Sequence, residues 1–255
     1  MIQAWHIEEA SINAWPALNS LLYDGWLLRF ANGYTKRANS VTPLYSGELS
    51  LERKIAACEE LYREQGLPPI FRLAEISGVA ELDAQLVTRA YRKIDVTSVQ
   101  GRPLSAGEFG MSGRAGVLPG SDALATWLQS FHTLNPGRRD METHEAILRR
   151  ILGRVCPLVL SDGGSSVACG LGVLQGEHLG LFDVVTRKSE RRKGYGRIVT
   201  ESLLAWGQSQ GASYAYLQVM LSNEPAQHLY AQLGFNEQYK YWYRVASKTD
   251  SQIVR

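Results

Sequence analysis

The residues best suited to chemistry form one short basic loop, Arg191-Arg192-Lys193-Gly194-Tyr195-Gly196. The loop lies between an apolar run that predicts a strand and a helix-like stretch that begins near Arg197. Glycines let a backbone approach phosphate groups closely, and the first-turn N–H groups of a helix have no partners of their own. The helix dipole and the Arg and Lys side chains add positive charge at the same place. The loop therefore predicts a site for a phosphate-bearing ligand.

Hydrophobic periodicity in the second half predicts the elements that position this loop. The expected helices and strands are, in order, helix 122–131, helix 142–152, strand 157–160, strand 166–174, strand 179–186, helix 198–208, strand 214–220, helix 225–233 and strand 239–245. The first three strands are antiparallel neighbours, and the loop follows the third. This order predicts an α+β fold with a mixed, largely antiparallel sheet flanked by helices.

The first half contains a weaker copy of the end of this pattern. Two expected hairpin strands, 26–31 and 36–44, precede helix 55–65, strand 70–75, helix 82–88 and strand 96–100. Gly66 aligns with Gly211, and Ala90 aligns with Gly234 after a one-residue slip. A rival alignment that sets Gly66 against Gly234 leaves helix 82–88 without a counterpart. The pattern predicts an internal duplication with two similar repeats.

Glycine and proline without periodicity between residues 101 and 120 predict the division of the chain. We expect a degenerate N-terminal domain at 1–104, a linker at 105–121 and a C-terminal domain at 122–255. At the place of the basic loop, the first repeat has Ser46-Gly47-Glu48-Leu49-Ser50, which carries a carboxylate and would repel a phosphate. Leu86 takes the position of Tyr230. We therefore expect two similar repeats but only one active site.

Composition excludes several classes of protein. The 255 residues are 45% hydrophobic and 20% charged, and the formal net charge of +2 predicts neither a nucleic-acid nor a membrane partner. The three cysteines lack metal-ligand spacing and do not form a disulfide framework, so we expect no metal and a reducing compartment. The N-terminus does not resemble a signal peptide. We expect a cytoplasmic protein, either a monomer or a homodimer.

Residues 142–245 resemble the GNAT superfamily of acyl-CoA-dependent N-acetyltransferases. A series of motifs, agreeing in order and spacing, carries this resemblance: Phe182-Asp183-Val184-Val185-Thr186, Arg191-x-x-Gly194-x-Gly196, Ala205-Trp206, Gln218-Val219, Asn223-Glu224-Pro225-Ala226, Leu229-Tyr230 and Leu233-Gly234-Phe235. The full chain is similar to tandem-GNAT proteins with a degenerate N-terminal repeat. The segments that carry this wider resemblance are Trp15-Pro16, Asp24-Gly25-Trp26 and Arg37-Ala38-Asn39-Ser40-Val41.

The resemblance implies an N-acetyltransferase that uses acetyl-CoA as co-substrate and acts on a primary amine. Acetyl-CoA would lie in a V-shaped split between the strands that end at Thr186 and Met220. The implied contacts are the backbone N–H groups of Val184, Val185 and Thr186 for the thioester and pantetheine, the loop residues Arg191, Arg192, Lys193, Gly194, Tyr195, Gly196 and Arg197 for the pyrophosphate, and Asn223. The amine would attack the thioester directly, and Tyr230 would protonate the departing thiolate.

The general base and the acceptor stay open at this point. Glu177 and His178 are the nearest candidates for the base, Asp183 is either functional or structural, and a chain of water molecules is a further alternative. A small molecule and a protein amine are both possible acceptors. Two other functions compete with the enzyme: a non-catalytic regulator that binds acyl-CoA, and an RNA-associated protein that uses the basic segment.

Overall fold

The structure, a computed structural model, describes residues 4–113, 115–118, 122–137 and 140–246. Its strands are β1 (Asn19–Tyr23), β2 (Trp26–Phe30), β3 (Val41–Pro43), β4 (Ile70–Ala74), β5 (Tyr91–Pro103), β6 (Ala115–Val117), β7 (Arg154–Asp162), β8 (Ser165–Gln175), β9 (His178–Thr186), β10 (Tyr214–Met220) and β11 (Asn236–Ala246). Its α-helices are α1 (Ala4–Ala14), α2 (Leu51–Glu64), α3 (Ala80–Thr88), α4 (Ala123–Leu134), α5 (Met141–Leu148), α6 (Tyr195–Ser209) and α7 (Glu224–Gln232).

All eleven strands belong to one sheet in the order β1-β2-β3-β4-β11-β5-β10-β9-β8-β7-β6. Neighbouring strands are antiparallel except for the parallel pairs β3–β4 and β9–β10. Helices cover the sheet on both faces. The predicted fold class, a mixed and largely antiparallel sheet flanked by helices, is confirmed.

The two halves of the chain exchange strands at the centre of this sheet. The last strand of the second half, β11, lies between β4 and β5, and β5 from the first half lies between β11 and β10. Each exchanged strand therefore hydrogen-bonds to a strand of the other half. Through this exchange, each half covers a strand edge that the other half would otherwise expose. An unpaired strand edge favours association with other chains. The expected boundary near residue 104 does not divide the sheet.

The series α2-β4-α3-β5 and α6-β10-α7-β11 repeat the same order of elements. Gly66 and Gly211 follow the first helix of each series with φ of 66° and 90°. Ala90 and Gly234 precede the last strand with φ of 61° and 79°. Such left-handed conformations are uncommon outside glycine. The shared backbone geometry at both pairs agrees with the alignment that the sequence favoured.

Three elements differ from the expectations. Residues 36–38 form a short 3-10 helix and not part of a hairpin strand, because the Thr35 side chain accepts a hydrogen bond from the N–H of Ala38 and caps it. The rest of the expected strand contains β3, which pairs antiparallel with β2 as expected, and β1 pairs with the other edge of β2. The segment expected as a linker contains β6, which pairs with the edge of β7. Helix α5 ends at Leu148, before the expected end at 152.

Three hydrophobic clusters surround the sheet. One packs α6 and α7 against strands of the second half, and another packs α2 and α3 against strands of the first half. The third draws on both halves and includes α1, α4 and aromatic residues of β9, β10 and β11. The first two clusters lie within single halves, whereas the third joins the halves together.

A buried ion pair crosses this third cluster. Glu8 on α1 and Arg72 on β4 are 1% and 2% exposed and form a two-pronged contact. The hydroxyl of Tyr239 on β11 donates to Oε2 of Glu8 at 2.6 Å. Burial raises the pKa of Glu8, but the charge and hydrogen bonds of Arg72 outweigh burial and lower it overall. The pair connects α1 to β4 and to the exchanged strand. Among the described helices, none is long and apolar enough to cross a membrane.

Candidate active site

The strands β9 and β10 separate at the end that leads into the basic loop. Their parallel pairing stops at Leu181 and Leu217. Beyond these residues β9 continues to Thr186 against β8, and β10 continues to Met220 against β5. The inner edges of both strands therefore present backbone N–H and C=O groups that are not used between them. The structure contains the split that the sequence led us to expect.

A β-bulge shapes the β9 side of this split. The register with β8 shifts between Phe182 and Val185, and Asp183 has a φ of 46°. Phe182 and Val185 face the shared cluster, whereas Val184 packs against the cluster under α6. Bulges re-aim side chains and are frequent beside active sites. Here the bulge turns the Asp183 carboxylate toward His144 on α5, with Nε2 and Oδ2 3.1 Å apart.

The basic loop runs from β9 into α6. Arg192 and Gly194 have φ of 66° and 82°, and Gly194 is the N-cap residue of α6. No side chain caps this helix. Its first-turn N–H groups thus have no partner from the helix, and the positive end of its dipole lies at the loop. Left-handed residues in such a loop turn successive N–H groups toward one point, which suits an anion.

The loop's cations divide into paired and unpaired groups. Lys193 and Arg197 form ion pairs with Glu190 at 2.7 Å and Glu201 at 3.2 Å. Lys193 lowers the pKa of the Glu190 carboxyl. Such exposed pairs contribute little stability, so they can rearrange around a ligand.

Arg191 and Arg192 are exposed and make no ion pair among the described residues. Tyr195 is buried, and its hydroxyl donates to Asp162 on β7. The Tyr195 side chain thus connects the loop to β7. Among the predicted cofactor-binding residues of the loop, the groups available to an anion are the backbone of Gly194 to Arg197 and the side chains of Arg191 and Arg192.

Helix α7 approaches the start of α6. Asn223 caps α7 by accepting the N–H of Ala226 at 3.4 Å. The position of a Cβ at Gly196 would lie 3.4 Å from Leu229 of α7 and 3.7 Å from the Thr186 hydroxyl, so these elements meet at the loop. Tyr230 is 9% exposed and packs on Phe235. Burial raises the pKa of Tyr230 to about 12.

Glu177 lies elsewhere. Its backbone carbonyl accepts the N–H groups of Ser213 and Tyr214 at 3.0 and 3.2 Å, where β9 and β10 begin together. Its exposed carboxylate accepts the hydroxyl of Ser213. Strands rise roughly 3.3 Å per residue, so Glu177 is about 20 Å along β9 from Asp183. The structure separates Glu177 from the split, because the sequence order places it at the closed ends of the strands. The role of Glu177 as the base stays a prediction, with its carboxylate at the end of β9 where β9 and β10 are still paired.

The first half of the chain contributes to the face of the split opposite α6. The guanidinium of Arg37 lies 5.6 Å from the ring centroids of both Trp15 and Phe182. Trp15 stacks on Phe182 with centroids 5.8 Å apart. Trp15 and Arg37 belong to the segments that carry the wider resemblance, but the sequence analysis predicted no role in the site for either residue. His144 also went unnoticed, because in sequence it is an ordinary position of an amphipathic helix.

The corresponding place in the first half is already occupied by a protein carboxylate. Asp24 accepts the N–H groups of Glu48 and Leu49 at 2.9 and 3.1 Å, and Lys54 lies 3.1 Å from it. The Glu48 N–H above all holds the pKa of Asp24 below its usual value. In contrast to α6, helix α2 has a side-chain cap, Ser50. Two amides of this loop are therefore taken by a protein carboxylate, and a second anion at the same place would be repelled by Asp24.

Comparison with known proteins gives a family. Residues 3–244 match the family described as "Probable histone acetyltransferase Rv0428c C-terminal". A Bacillus subtilis (strain 168) protein described as "Uncharacterized N-acetyltransferase YobR" is 29% identical over 254 residues, which cover 94% of this chain and 97% of the relative. The Mycobacterium tuberculosis "Probable histone acetyltransferase Rv0428c" is 28% identical over 226 residues, 84% of this chain and 65% of the relative.

Solved structures share the fold at lower identity. A GCN5-related N-acetyltransferase from Kribbella flavida matches with a TM-score of 0.66 and 14% identity, covering 91% of this chain and 90% of its own. A tandem GNAT protein from the clavulanic acid biosynthesis pathway matches with a TM-score of 0.59 and 13% identity, covering 87% of this chain and 77% of its own. At these identities the likeness concerns the fold alone.

Proposed function

This chain belongs to the Rv0428c C-terminal family and is an N-acetyltransferase of the GNAT superfamily, and we propose that it transfers the acetyl group of acetyl-CoA to a primary amine. The observation that supports this most is the continuity of the split between β9 and β10 with the uncapped start of α6. An extended thioester fits strand edges with unused backbone groups, and a pyrophosphate fits an uncapped helix start. The family membership favours an enzyme over a non-catalytic regulator.

The groups that would hold the donor follow from this placement. The backbone N–H groups of Val184, Val185 and Thr186 would bind the thioester carbonyl and the pantetheine arm. The backbone from Arg192 to Arg197 would bind the pyrophosphate, with Arg191 and Arg192 adding charge and Asn223 lying beside it. Acetyl-CoA supplies an activated acyl group. Donors fixed before the reaction stabilise the oxyanion without reorganising.

Tyr230 is suited to donate a hydrogen bond to the leaving sulfur. Its burial raises the pKa to about 12, so its hydroxyl stays protonated at neutral pH. A thiol has a pKa near 8.5, so complete transfer of the Tyr230 proton to a free thiolate would be uphill by about 5 kcal/mol. Tyr230 therefore acts mainly as a hydrogen-bond donor that stabilises charge as the carbon–sulfur bond breaks, and it shares its proton only as that charge develops.

We also infer that the chain is an internal duplication with one donor site. The matching left-handed residues and the repeated element order support the duplication. The occupied amides at Asp24 support a single site. Calorimetric titration with CoA should give one equivalent per chain. A second equivalent of comparable affinity would contradict the single site.

The activity is tested by following CoA release with a thiol reagent. The acceptors are spermidine, glucosamine, free lysine and a lysine-containing histone peptide, the last chosen because of the relative's name. Tyr230→Phe should lower kcat by about 100-fold or more, the scale of general acid catalysis, while the Kd for acetyl-CoA changes less than about threefold. Tyr45→Phe is the matched control, since Tyr45 is 58% exposed and makes no contact with the split.

Each result separates a different part of the proposal. No CoA release above hydrolysis with any of the four amines contradicts acetyl transfer to such acceptors. Release in the wild type with an unaltered kcat in Tyr230→Phe contradicts the role of Tyr230 alone. A loss of acetyl-CoA affinity in Tyr45→Phe would show that tyrosine hydroxyls act through the fold.

A further inference from the structure

His144 is fully buried in an aromatic cage beside the split. Its ring lies 5.6, 5.0, 5.9 and 5.1 Å from the ring centroids of Trp15, Tyr34, Trp127 and Phe131. The cage combines residues from both halves of the chain. A wholly apolar side chain would fill such a cage at less cost, because a buried imidazole must give up its bonds to water.

Both ring nitrogens of His144 face titratable side chains. Nε2 lies 3.1 Å from Oδ2 of Asp183, and Nδ1 lies 3.3 Å from Nε2 of His132 on α4. The contact with Asp183 is too bent to count as a hydrogen bond, and Nε2 and Oδ2 are both buried without another hydrogen-bond partner. Oδ2 is thus reserved for His144, which leaves the other carboxylate oxygen for a different partner.

Asp183 stands at the split itself. It follows the last paired residue of β9, Leu181, by two positions and precedes the strand edge that we expect to hold the thioester. Its side chain is 20% exposed, so the carboxylate is reachable from solvent although its Oδ2 is covered. The bulge directs it to the face where Trp15 and Arg37 lie, opposite α6.

We propose that Asp183 is the general base of the acetyl transfer, and that His144 is a positioning residue that fixes the Asp183 carboxylate. His132 donates its Nε2–H to Nδ1 of His144, which leaves the proton of His144 on Nε2, facing Oδ2. The second nitrogen of a histidine commonly sets its tautomer and orientation in this way. The inference rests on the proposed function, because it assigns the base of that reaction.

The neutral amine nitrogen forms a bond to the thioester carbon, and the carbon–sulfur bond breaks as the electron pair leaves on sulfur. The nitrogen becomes acidic as it bonds to carbon, so one N–H proton passes to the free oxygen of Asp183. The thiolate accepts a hydrogen bond from Tyr230 and gains its proton from water. Asp183 returns its proton to solvent through its exposed side, while His144 keeps the same tautomer throughout.

Other charged or titratable groups surround the pair. The Tyr34 ring stacks on His144, and the Arg37 guanidinium lies over Phe182, the residue before Asp183. Cys169 on β8 lies behind Asp183, and its thiol pKa is raised first by burial and then by the Asp183 charge. Glu8 also lies in the shared cluster, but its carboxylate is held by Arg72 and Tyr239, whereas Asp183 stands at the split.

Substitutions at His144 distinguish positioning from packing. His144→Phe keeps an aromatic ring in the cage but removes both nitrogens, so Oδ2 of Asp183 and Nε2 of His132 lose this neighbour and the variant should melt at or slightly below the temperature of the wild type. His144→Gln keeps an N–H that can reach Asp183 but packs less well. We expect kcat to fall about 10- to 100-fold in His144→Phe and less than about fivefold in His144→Gln, the range for outer groups that orient a catalytic one. If His144 only packs, activity will follow melting temperature, and the order will be reversed.

Asp183→Asn should lower kcat about 100- to 1,000-fold without changing the Kd for acetyl-CoA, the scale of general base catalysis. His6→Gln, an exposed histidine on α1, is the matched control and should leave kcat unchanged. These assays use the acceptor from the four amines that gives the highest wild-type rate. If the wild type shows no activity with any of the four amines, the proposed acetyl transfer to such acceptors is refuted. If the wild type is active and Asp183→Asn has a normal kcat, only the assignment of Asp183 as the general base is refuted.

A measurement without turnover tests the positioning directly. Nitrogen-15 NMR of the intact protein, with assignments from His132 and His144 variants, reports which ring nitrogen of each histidine carries the proton. We expect His144 to carry its proton on Nε2 at neutral pH, and Asp183→Asn to reduce that preference. A proton found on Nδ1 of His144 in the wild type would overturn the proposal.

Discussion

Replacing Gly194 by alanine isolates the backbone geometry of the basic loop from its charge. Gly194 has a φ of 82° and a ψ of 0°, and a Cβ added there meets no heavy atom within 4 Å. The substitution therefore adds left-handed strain and no clash with the protein. Gly211, with a φ of 90° and equally open space, lies beyond the other end of α6 and provides the matched control. A left-handed L-residue costs roughly 1–2 kcal/mol.

The strain must appear either in stability or in binding. If the loop of Gly194→Ala keeps its conformation, the free energy of unfolding falls by about 1–2 kcal/mol, and Tm falls by about 2–4 °C per kcal/mol in a chain of this size. If the free loop relaxes, the strain returns when the ligand binds, and the Kd for CoA rises about 5- to 30-fold. The two losses together should amount to about 1–2 kcal/mol. Gly211→Ala should lose stability alone.

Calorimetry measures both quantities on the wild type and the two alanine variants, with CoA as ligand. A third variant, Gly194→Glu, places a carboxylate where we expect the pyrophosphate and should show no measurable CoA binding. Equal loss of CoA affinity in Gly211→Ala and Gly194→Ala would refute the reasoning, because the strain would then act through the whole helix. So would a Gly194→Ala variant that changes neither Tm nor Kd.

Three further predictions concern protonation and burial. Because the pKa of Tyr230 is raised to about 12, the kcat ratio of wild type to Tyr230→Phe should be the same at pH 7 and pH 9.5. Stability linked to Tyr230 should be lost only as pH rises from about 10 through 12. A kcat ratio that falls to one by pH 9.5 would contradict a buried, protonated hydroxyl. Glu8→Gln leaves Arg72 buried without a counter-charge and should lower the free energy of unfolding, measured in urea, by about 3–5 kcal/mol. Glu60→Gln, from an exposed pair, should change that free energy by less than about 1 kcal/mol. Similar losses in both variants would show that burial does not set the contribution of the Glu8–Arg72 pair. The pKa of Asp24 is lowered in the fold, so its contribution to stability is present above its unfolded pKa of about 3.9 and is lost as pH falls through the folded value. Asp24→Asn should speed hydrogen exchange of the two amide N–H groups that donate to Asp24. Unchanged exchange would show that other contacts hold that loop.

Local chemistry made the basic loop, the order of elements and the fold class predictable from sequence. Gly194 at the N-cap and Gly196 in the first turn of an amphipathic helix describe a turn whose geometry depends on neighbouring residues alone. The left-handed turns at Gly66, Gly211 and Gly234 are likewise encoded locally. Strand β6 escaped prediction because three residues without alternation carry no periodic signal.

The sequence could place the predicted donor-side residues near one another, but not the residues on the other side of the split. The residues expected to hold the donor lie in consecutive segments around the β9–α6 loop, so their proximity follows from chain connectivity. For Glu177, closeness in sequence to β9 could not tell which end of the strand it would occupy, and the structure places it about 20 Å from Asp183 along β9. Asp183 and His144 meet because a bulge in β9 turns one toward a helix that carries the other.

The sequence by itself determined a GNAT-type fold and the basic, glycine-containing loop that leads into α6, since periodicity and turn residues act over a few neighbours. Only the tertiary structure decided that β5 and β11 change places between the halves. It also decided that Trp15 and Arg37 of the first half line the split in the second. Strand pairing and packing between distant segments depend on the burial and hydrogen bonding of the whole sheet, and no local pattern encodes that balance.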